Sequence, residues 1–540
     1  MKLFFLKLSL LFIGFNLSHA QNSQVWIADQ GNGMYKNPVL FADYSDPDAI
    51  RVGDDYFMTA SSFNEAPGLP ILHSKDMVNW QLVNHALPEV FPIQHFSTPK
   101  RGDGVWAPSI RFHNNEYYIY WGDPDFGIYM VKTKDPFGKW DDPILVSEGK
   151  GLIDPCPLWD DNGNAYIVHG WAGSRAGVKS LLTIKKMSPD GTKTLDKGVH
   201  IFDGHDAHPT VEGPKFYKKN GYYYIFAPAG GVATGWQLVL RSKNIYGPYE
   251  EKIVLEQGNS KINGPHQGAW VNTPSGEDWF YHFQDADTYG RIVHLQPMKW
   301  ANDWPIIGID QDKNGIGEPV ISYKKPTIGK NYPISTPPET DEFDGNDIGI
   351  QWQWSANSNI TWYSKLIGQN FLRLFSVKIP DGTKNLWNVP NLMTQKFPAP
   401  NFTASTKVKL SPEEATEGKT AGLLVMGTDY QSIVITNKLD GFYVQLKQAI
   451  KAEKGNEEKV LFEAKLKGNE VYLQVNVNEP NGISQFSYSE NGKKFTNVGD
   501  PFQAKPGKWI GAKVGLYSIS TTDAKRGGYA DFDWFRISKN

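Results

Sequence analysis

The chain has 540 residues, of which 13% are aromatic, with 52 Gly and 35 Pro. This mixture favours short aromatic strands joined by many turns over long helices. The formal net charge of −3 excludes the strong positive field typical of nucleic-acid-binding proteins, so we expect no nucleic acid partner. Because Cys156 is the single cysteine, no intrachain disulfide can form, and packing has to supply the stability.

Residues 1–20 have the pattern of a secretory signal peptide. Lys2 and Lys7 precede an apolar stretch over residues 8–15, and Ser18-His19-Ala20 fits the small-x-small cleavage site. The apolar stretch is far shorter than the ~20 residues that span a bilayer. We therefore predict cleavage after Ala20, a secreted or periplasmic protein, and no membrane insertion of the mature chain.

Five segments between residues 30 and 325 open alike, with a polar or aromatic residue followed four positions later by a large apolar one. The segments begin at Asp46, Trp106, Asp154, Glu212 and His266, 48 to 60 residues apart. Turns and aromatic strands follow these openings. That period suits a four-stranded propeller blade, and it predicts an all-β fold with a five-bladed β-propeller over residues 30–325. In a propeller, equivalent positions of successive blades converge on one axis.

The pattern changes after residue 325. Residues 326–341 contain four prolines among Thr, Ser and Gly, which predicts an extended Pro-rich linker. Residues 342–540 then show strands every 10–15 residues, with clean alternation over Val471–Val477 and the hairpin turn Asn491-Gly492. We predict a β-sandwich domain over residues 342–540.

Three of the five openings hold a carboxylic acid, namely Asp46, Asp154 and Glu212. Carboxylates held close together cannot all ionise freely, so the pKa of at least one rises. One protonated and one ionised carboxyl is the arrangement that cleaves a glycosidic bond. A separation of about 6.5–9.5 Å gives inversion at the anomeric carbon, and about 5–5.5 Å gives retention. The sequence leaves that separation open.

Each acid also has an ordinary structural explanation. Asp46 and Asp154 precede Pro, where an Asp side chain commonly bonds to nearby backbone N–H groups of a turn. Glu212 precedes Gly and could end a strand in solvent. Their recurrence at one repeat position favours a shared site, because surface acids need not fall in phase across blades.

These motifs resemble glycoside hydrolase family 43, five-bladed propeller enzymes that act on plant cell-wall pentose sugars. The resemblance runs from Asn37 to Trp300 and rests on Tyr44–Ile50, Leu152–Pro155 and Val211–Lys215. It implies that Asp46 is the general base that activates water, that Glu212 is the general acid, and that Asp154 assists the acid. It also implies an inverting reaction that requires no cofactor.

The C-terminal region adds to this resemblance. Residues 342–354 and 530–535 are similar to the concanavalin-like sandwich on the β-xylosidase branch of the family. In those enzymes the sandwich packs against the propeller and closes one side of the pocket. The resemblance therefore implies an exo-acting enzyme that trims terminal xylose or arabinofuranose from xylo- or arabino-oligosaccharides.

Four further residues are candidates for substrate binding. Trp106 could stack on a sugar ring or be a core residue at a blade junction. On the family resemblance, Phe63 lines the sugar pocket and Arg291 points at a sugar hydroxyl, with a structural ion pair as the alternative for Arg291. His266 is placed on the axis, where the resemblance leaves open a structural calcium or sodium ion. We predict no metal ligands, since a lone His is more often a hydrogen-bonded structural residue.

Two other functions remain open at the level of sequence. The propeller could be a non-catalytic carbohydrate-binding module whose acids only bond sugar hydroxyls, although such a module needs no acid triad. It could also be a fructan-cleaving hydrolase, which shares five blades but uses a retaining Asp nucleophile.

Overall fold

The computed structural model describes residues 22–412, 418–521 and 528–540, so the predicted signal peptide lies outside the described residues. Strands dominate this part of the chain. Its helices are one α-helical turn and four 3₁₀ turns, at Gly173–Ala176, His95–Ser97, Asp287–Tyr289, Leu386–Asn388 and Ala452–Lys454. None of the described helices has the length and apolar character that crossing a bilayer requires.

Five four-stranded antiparallel sheets follow one another along the first part of the chain, each with its strands in sequential order. This arrangement confirms the predicted all-β propeller fold. Blades one and two consist of Asp48–Val52, Asp55–Thr59, Gly68–Ser74 and Trp80–Leu87, and of Trp106–His113, Glu116–Asp123, Gly127–Thr133 and Ile144–Glu148. Blades three and four consist of Leu152–Trp159, Ala165–Trp171, Leu181–Met187 and Val199–Asp203, and of Lys215–Lys219, Tyr222–Ala229, Trp236–Ser242 and Glu250–Leu255. Blade five consists of His266–Asn272, Asp278–Asp285, Arg291–Ala301 and Trp304–Ile307.

Apolar side chains fill the spaces between neighbouring blades. The middle strands of a blade are therefore buried on both faces. The second strands of blades two and four, Glu116–Asp123 and Tyr222–Ala229, therefore read as nearly continuous apolar runs. A side-chain hydrogen bond joins blade five to blade one: Arg51 Nε donates to Asn272 Oδ1 at 3.0 Å. A two-stranded ribbon of Met34–Lys36 and Ser322–Lys324 joins the two ends of the propeller. The ribbon thus ties the start of the propeller to its end.

The C-terminal region forms two larger sheets packed face to face around one apolar core. One sheet contains Gln353–Trp354, Val377–Lys378, Met393–Lys396, Lys419–Met426, Tyr430–Lys438, Gly441–Ala449, Lys459–Lys465 and Lys513–Ser520. The other contains Tyr363–Ser364, Leu372–Phe375, Phe402–Leu410, Glu470–Asn478, Ile483–Ser489, Thr496–Gln503 and Tyr529–Ser538. This β-sandwich accounts for the strict alternation in Glu470–Asn478, because one face of that strand meets the core and the other is partly exposed.

The Pro-rich segment 326–341 contains no regular strand and passes from the propeller to the sandwich. The two domains are in direct contact. Trp354 N donates to Ala66 O at 2.6 Å, and Asp43 Oδ2 accepts from Gly511 N at 2.9 Å. The loop that contains Gly511 is thereby held above one end of the propeller axis, and this places part of the sandwich at the candidate site.

Candidate active site

A pocket opens at one end of the propeller axis and encloses about 100 Å³. It is lined by Asp46, Phe63, Trp106, Ala107, Ile153, Asp154, Glu212, Val232, Gln267, Arg291 and Trp509. The structure therefore brings the three predicted acids into one cavity, together with Phe63, Trp106 and Arg291. The opposite end of the axis has a wider hollow of about 460 Å³ whose lining contains no Asp or Glu. Of these two linings, the first is therefore the one that offers carboxyl groups.

The backbone reveals the true repeat of the blades. Each blade has a residue in the left-handed region at the start of its innermost segment, and these are Asp46 (φ 55°), Ala107 (φ 32°), Asp154 (φ 57°), Gly213 (φ 57°) and Gln267 (φ 37°). Asp46 and Asp154 are thus equivalent, as the sequence alignment has them. Trp106, Glu212 and His266 each stand one position before the residue that is equivalent to Asp46. The sequence alignment counted four positions back from a large apolar residue, but in blades two, four and five that residue follows the equivalent position by only three.

Asp46 is held by donors on two sides. Ser45 Oγ and Ser61 Oγ donate to Asp46 Oδ2 at 2.7 and 2.6 Å. Arg291 Nη1 lies 3.3 Å from Asp46 Oδ1 and donates to Ser45 Oγ at 2.9 Å. Arg291 is therefore an ion-pair partner of Asp46, the alternative that the sequence leaves open, and its contact with a sugar hydroxyl stays a prediction. These contacts fix the direction in which the carboxylate faces the pocket.

Glu212 is the most exposed of the three acids, with 31% of its side chain accessible. Its Oε1 lies 2.9 Å from His266 Nε2. His266 itself is fully buried and is not part of the pocket wall, so its predicted contact with substrate is corrected to a contact with Glu212. Its neighbour Gln267, which holds the repeat position of blade five, is the residue that reaches the cavity. Gln267 is 5% exposed, and its Oε1 has no hydrogen-bond partner in the described part of the chain.

Asp154 lies at the floor of the pocket and is 2% exposed. Its Oδ2 accepts a hydrogen bond from Gly213 N at 2.7 Å. Burial, and then the negative charges of Glu212 and Asp46, raise the pKa of Asp154 well above its ordinary value of 3.8. Asp154 therefore keeps its proton to a higher pH than an ordinary aspartate, and interacting carboxyls share such a proton as a group.

Aromatic rings form the pocket walls. The ring centroids of Phe63 and Trp106 are 6.4 Å apart, and those of Trp106 and Trp509 are 6.1 Å apart. Trp509 comes from the sandwich loop between Thr496–Gln503 and Lys513–Ser520, and it is 49% exposed. Sequence reasoning missed this residue because its loop has no pattern that links it to the propeller. Aromatic faces of this kind bind the C–H faces of sugar rings.

The axis below the pocket fits a bound metal ion poorly. No set of three or more His, Cys, Asp and Glu side chains within residues 22–412, 418–521 and 528–540 is arranged to hold one. The ammonium group of Lys215 is buried in this region, and it would repel a second cation.

Comparison with known proteins decides the family. The model of glycosyl hydrolases family 43 matches residues 35–305, and that of the beta xylosidase C-terminal concanavalin A-like domain matches residues 340–538. The chain belongs to glycosyl hydrolases family 43.

Relatives of this family 43 enzyme cover both domains. A beta-xylosidase of Formosa agariphila is 34% identical over 94% of this chain and 90% of its own length. The non-reducing end alpha-L-arabinofuranosidase BoGH43B of Bacteroides ovatus is 28% identical over 93% of this chain and 94% of its own. The crystal structure of xylan beta-1,4-xylosidase from Bacillus halodurans superposes with a TM-score of 0.81 at 25% identity, covering 93% of this chain and 100% of that one. The family 43 chain is therefore a glycoside hydrolase whose relatives share the whole two-domain architecture.

Proposed function

We propose that this chain is an inverting exo-glycosidase that releases terminal xylose or arabinofuranose residues from xylo- and arabino-oligosaccharides of plant hemicellulose. The observation that carries the proposal is the single pocket in which Asp46, Asp154 and Glu212 lie beneath Trp509 of the sandwich domain. The names of the relatives from Formosa agariphila and Bacteroides ovatus support a pentoside substrate.

The size and closure of the pocket favour exo action. Its volume of about 100 Å³ is small beside the ~300–1,000 Å³ of sites that enclose drug-sized ligands. A pocket of this size suits one terminal sugar unit, whereas an endo-acting enzyme needs an open groove for the chain on both sides. Trp509 and Trp106 form one continuous wall, so the bound sugar is enclosed from the sandwich side.

The proposed roles of the acids follow from their surroundings. Asp46, held by two hydroxyl donors and Arg291, is the base that takes a proton from the attacking water. Glu212 is the most accessible acid, so it is placed to donate a proton to the departing oxygen. Asp154 stays buried, binds Gly213 N next to Glu212, and holds negative charge or a proton according to the state of its neighbours.

Inversion is supported by the positions of the base and the acid. Asp46 belongs to blade one and Glu212 to blade four, which are not neighbours in a ring of five. The pocket lies between them, and an inverting mechanism needs such a space for the attacking water beside the sugar. A retaining enzyme brings its two carboxyls to about 5–5.5 Å.

The test is hydrolysis of nitrophenyl β-xyloside and nitrophenyl α-arabinofuranoside by the wild-type chain and by Asp46→Ala. We expect turnover of at least one substrate by the wild type and a loss of several orders of magnitude in Asp46→Ala. Each xylo-oligosaccharide should yield xylose and the oligosaccharide one unit shorter at early times, and proton NMR should show the inverted anomer first. If the wild type turns over substrate no faster than Asp46→Ala does, the carbohydrate-binding module is the better interpretation. If the retained anomer appears first, the fructan-type mechanism is favoured.

We further propose that the protein is exported after cleavage behind Ala20 and that it needs no cofactor. The first proposal rests on the sequence of residues 1–20. The second is supported by the buried Lys215 ammonium on the axis. N-terminal sequencing of the protein from the periplasm or medium, and assays in the presence of a chelator, test the two proposals separately.

A further inference from the structure

Lys215 is a fully buried lysine whose side chain crosses the propeller axis. It begins the first strand of blade four, and its Nζ donates to Pro108 O at 2.8 Å and Ser109 Oγ at 2.9 Å. Both acceptors belong to blade two. Blades two and four are not adjacent in a ring of five, so the Lys215 side chain has to span the central channel.

Lys215 belongs to a layer of residues directly beneath the pocket. Two positions after its left-handed residue, each blade places a fully buried residue on the axis, and these are Asp48, Ser109, Cys156, Lys215 and Ala269. Lys215 is the one cation in this layer. It therefore provides a positive charge immediately below the three pocket acids.

The hydrogen-bond partners of Lys215 are neutral. Among the described residues, no carboxylate oxygen lies within the 4 Å of an ion pair with its Nζ. A buried ammonium without nearby negative charge is costly, so the anions that compensate it must come from the surrounding cluster. The charge of Lys215 reaches Asp154, where it opposes the upward shift of the Asp154 pKa.

The charged and titratable groups around the axis can be counted. The ones that face this region from the five blades are Asp46, Asp48, Asp154, Cys156, Glu212, Tyr217, His266, Arg111, Arg291 and Lys215. Arg111 pairs with Asp48 at 2.6 Å, and Arg291 pairs with Asp46 at 3.3 Å. Lys215 is then the permanently charged cation near Asp154, and His266, 2.9 Å from Glu212 Oε1, is the other group there that can carry a positive charge. With His266 neutral, two carboxyls against one ammonium leave a single excess negative charge, which one bound proton neutralises.

We propose that Lys215 is a positioning residue for the acid cluster, whose buried ammonium group sets the number of protons that the pocket carboxyls hold at neutral pH. The proposal rests on the proposed hydrolytic function, which needs one protonated and one ionised carboxyl. Without the ammonium group the acid cluster binds its protons more tightly, so at a given pH it holds more of them. The positive charge belongs to the Lys215 side chain itself, so no bound ion is needed to supply it.

The test compares the pH profile of kcat/KM for the wild type and Lys215→Gln. Gln keeps a donor for Pro108 O and Ser109 Oγ but carries no charge. We expect both limbs of the profile to move to higher pH by about 1 unit, the size of effect that a neighbouring charge has. A uniform loss of activity with both limbs unmoved would overturn the proposal, because it would show a purely structural role.

Lys185→Gln is the matched control. Lys185 is also buried and donates to a serine hydroxyl, Ser147 Oγ, at 2.9 Å, but it lies in blade three away from the pocket. Its substitution should leave both limbs where they are. A shift equal to that of Lys215→Gln would overturn the proposal.

Two further measurements keep the proposal testable if a variant misfolds or if no pentoside is cleaved. Ser109→Asp places a carboxylate beside Nζ and neutralises it with the side chain retained, so the limbs should move in the same direction. Potentiometric titration of the folded protein needs no substrate. With the proton of Lys215 itself subtracted, the remaining groups of Lys215→Gln should hold more protons near neutral pH than those of the wild type. Equal numbers after that subtraction would overturn the proposal even if the assigned hydrolytic function is wrong.

Discussion

The Trp509 ring of the sandwich domain lies edge-on to the Trp106 ring of blade two, with centroids 6.1 Å apart. Trp509 also lies near Arg291, whose guanidinium carbon is 5.9 Å from the ring centroid. The loop is fixed by Gly511 N, which donates to Asp43 Oδ2, while Asp43 Oδ1 accepts from Arg291 N. One carboxylate of the propeller thus positions both the sandwich loop and the arginine that holds Asp46.

Trp509→Ala should weaken substrate binding. Removing the ring opens the pocket on the sandwich side and removes aromatic surface from the sugar site. We expect kcat/KM to fall by about tenfold, which corresponds to ~1.4 kcal/mol, mainly through KM. Trp534→Ala is the control, since Trp534 lies in the last sandwich strand and is not part of the pocket. Equal kinetic losses in the two variants would mean that the sandwich acts through general stability.

Glu212→Ala should distinguish between substrates by their leaving groups. A poor leaving group, such as a sugar hydroxyl, needs protonation as the bond breaks, whereas nitrophenol needs much less. We expect a loss of ~10²–10⁴-fold on xylo-oligosaccharides and a clearly smaller loss on nitrophenyl glycosides. Steady-state kinetics on both substrate types measure this, and equal losses would exclude Glu212 as the proton donor.

The fold was predictable because the repeats carry regular signals. The recurring openings, turns and aromatic strands indicate five blades, and the alternation over Val471–Val477 indicates the sandwich. The three acids could be found because propeller topology brings the start of every blade to the axis. The exact register was not predictable from apolar spacing. The left-handed backbone at Asp46, Ala107, Asp154, Gly213 and Gln267 defines it, and four of these five residues stand directly before Pro, the fifth before Gly.

Other parts of the site depend on tertiary structure that leaves no local pattern. Trp509 reaches the pocket only because the two domains pack together, and the bonds that position its loop join residues far apart in the chain. Sequence reasoning missed Gln267 because its neighbour His266 is of a residue type that commonly binds ligands. In the sequence, Lys215 is an ordinary strand residue. The arrangement of the blades shows that its side chain crosses the axis.

Asp154→Asn should change how stability depends on pH. The pKa of Asp154 in the folded chain is raised above the ordinary 3.8, chiefly by burial. Its favourable contribution to folding is fully present below that ordinary value and is lost as pH rises through the raised pKa. Asn mimics the protonated acid and does not ionise. The free energy of unfolding of the variant, measured by urea denaturation, should therefore fall less than that of the wild type as pH rises from about 4 to 8.

Asp206→Asn is the control for this measurement, because Asp206 lies in an exposed loop of the described chain. Its pH dependence should match the wild type. A wild-type curve parallel to that of Asp154→Asn would show that the carboxyl at position 154 carries no unusual proton.

His169 makes the opposite contribution at low pH. It is fully buried in blade three, its Nε2 has no hydrogen-bond partner in the described residues, and burial lowers its pKa from 6.5 to about 3. Below pH 6.5, His169 binds a proton in the unfolded chain but stays neutral in the folded chain. The free energy of unfolding therefore decreases as pH falls towards 3. By pH 4 this amounts to ~3 kcal/mol, at ~1.4 kcal/mol for each unit of difference. His169→Gln should therefore lose less stability between pH 7 and 4 than the wild type, whatever its stability at pH 7. The exposed His205 offers the control His205→Gln, which removes an exposed pair with Asp203 and should not make the loss of stability between pH 7 and 4 smaller. If the loss in His169→Gln is also no smaller than in the wild type, His169 is not the group that couples protonation of the propeller to its unfolding.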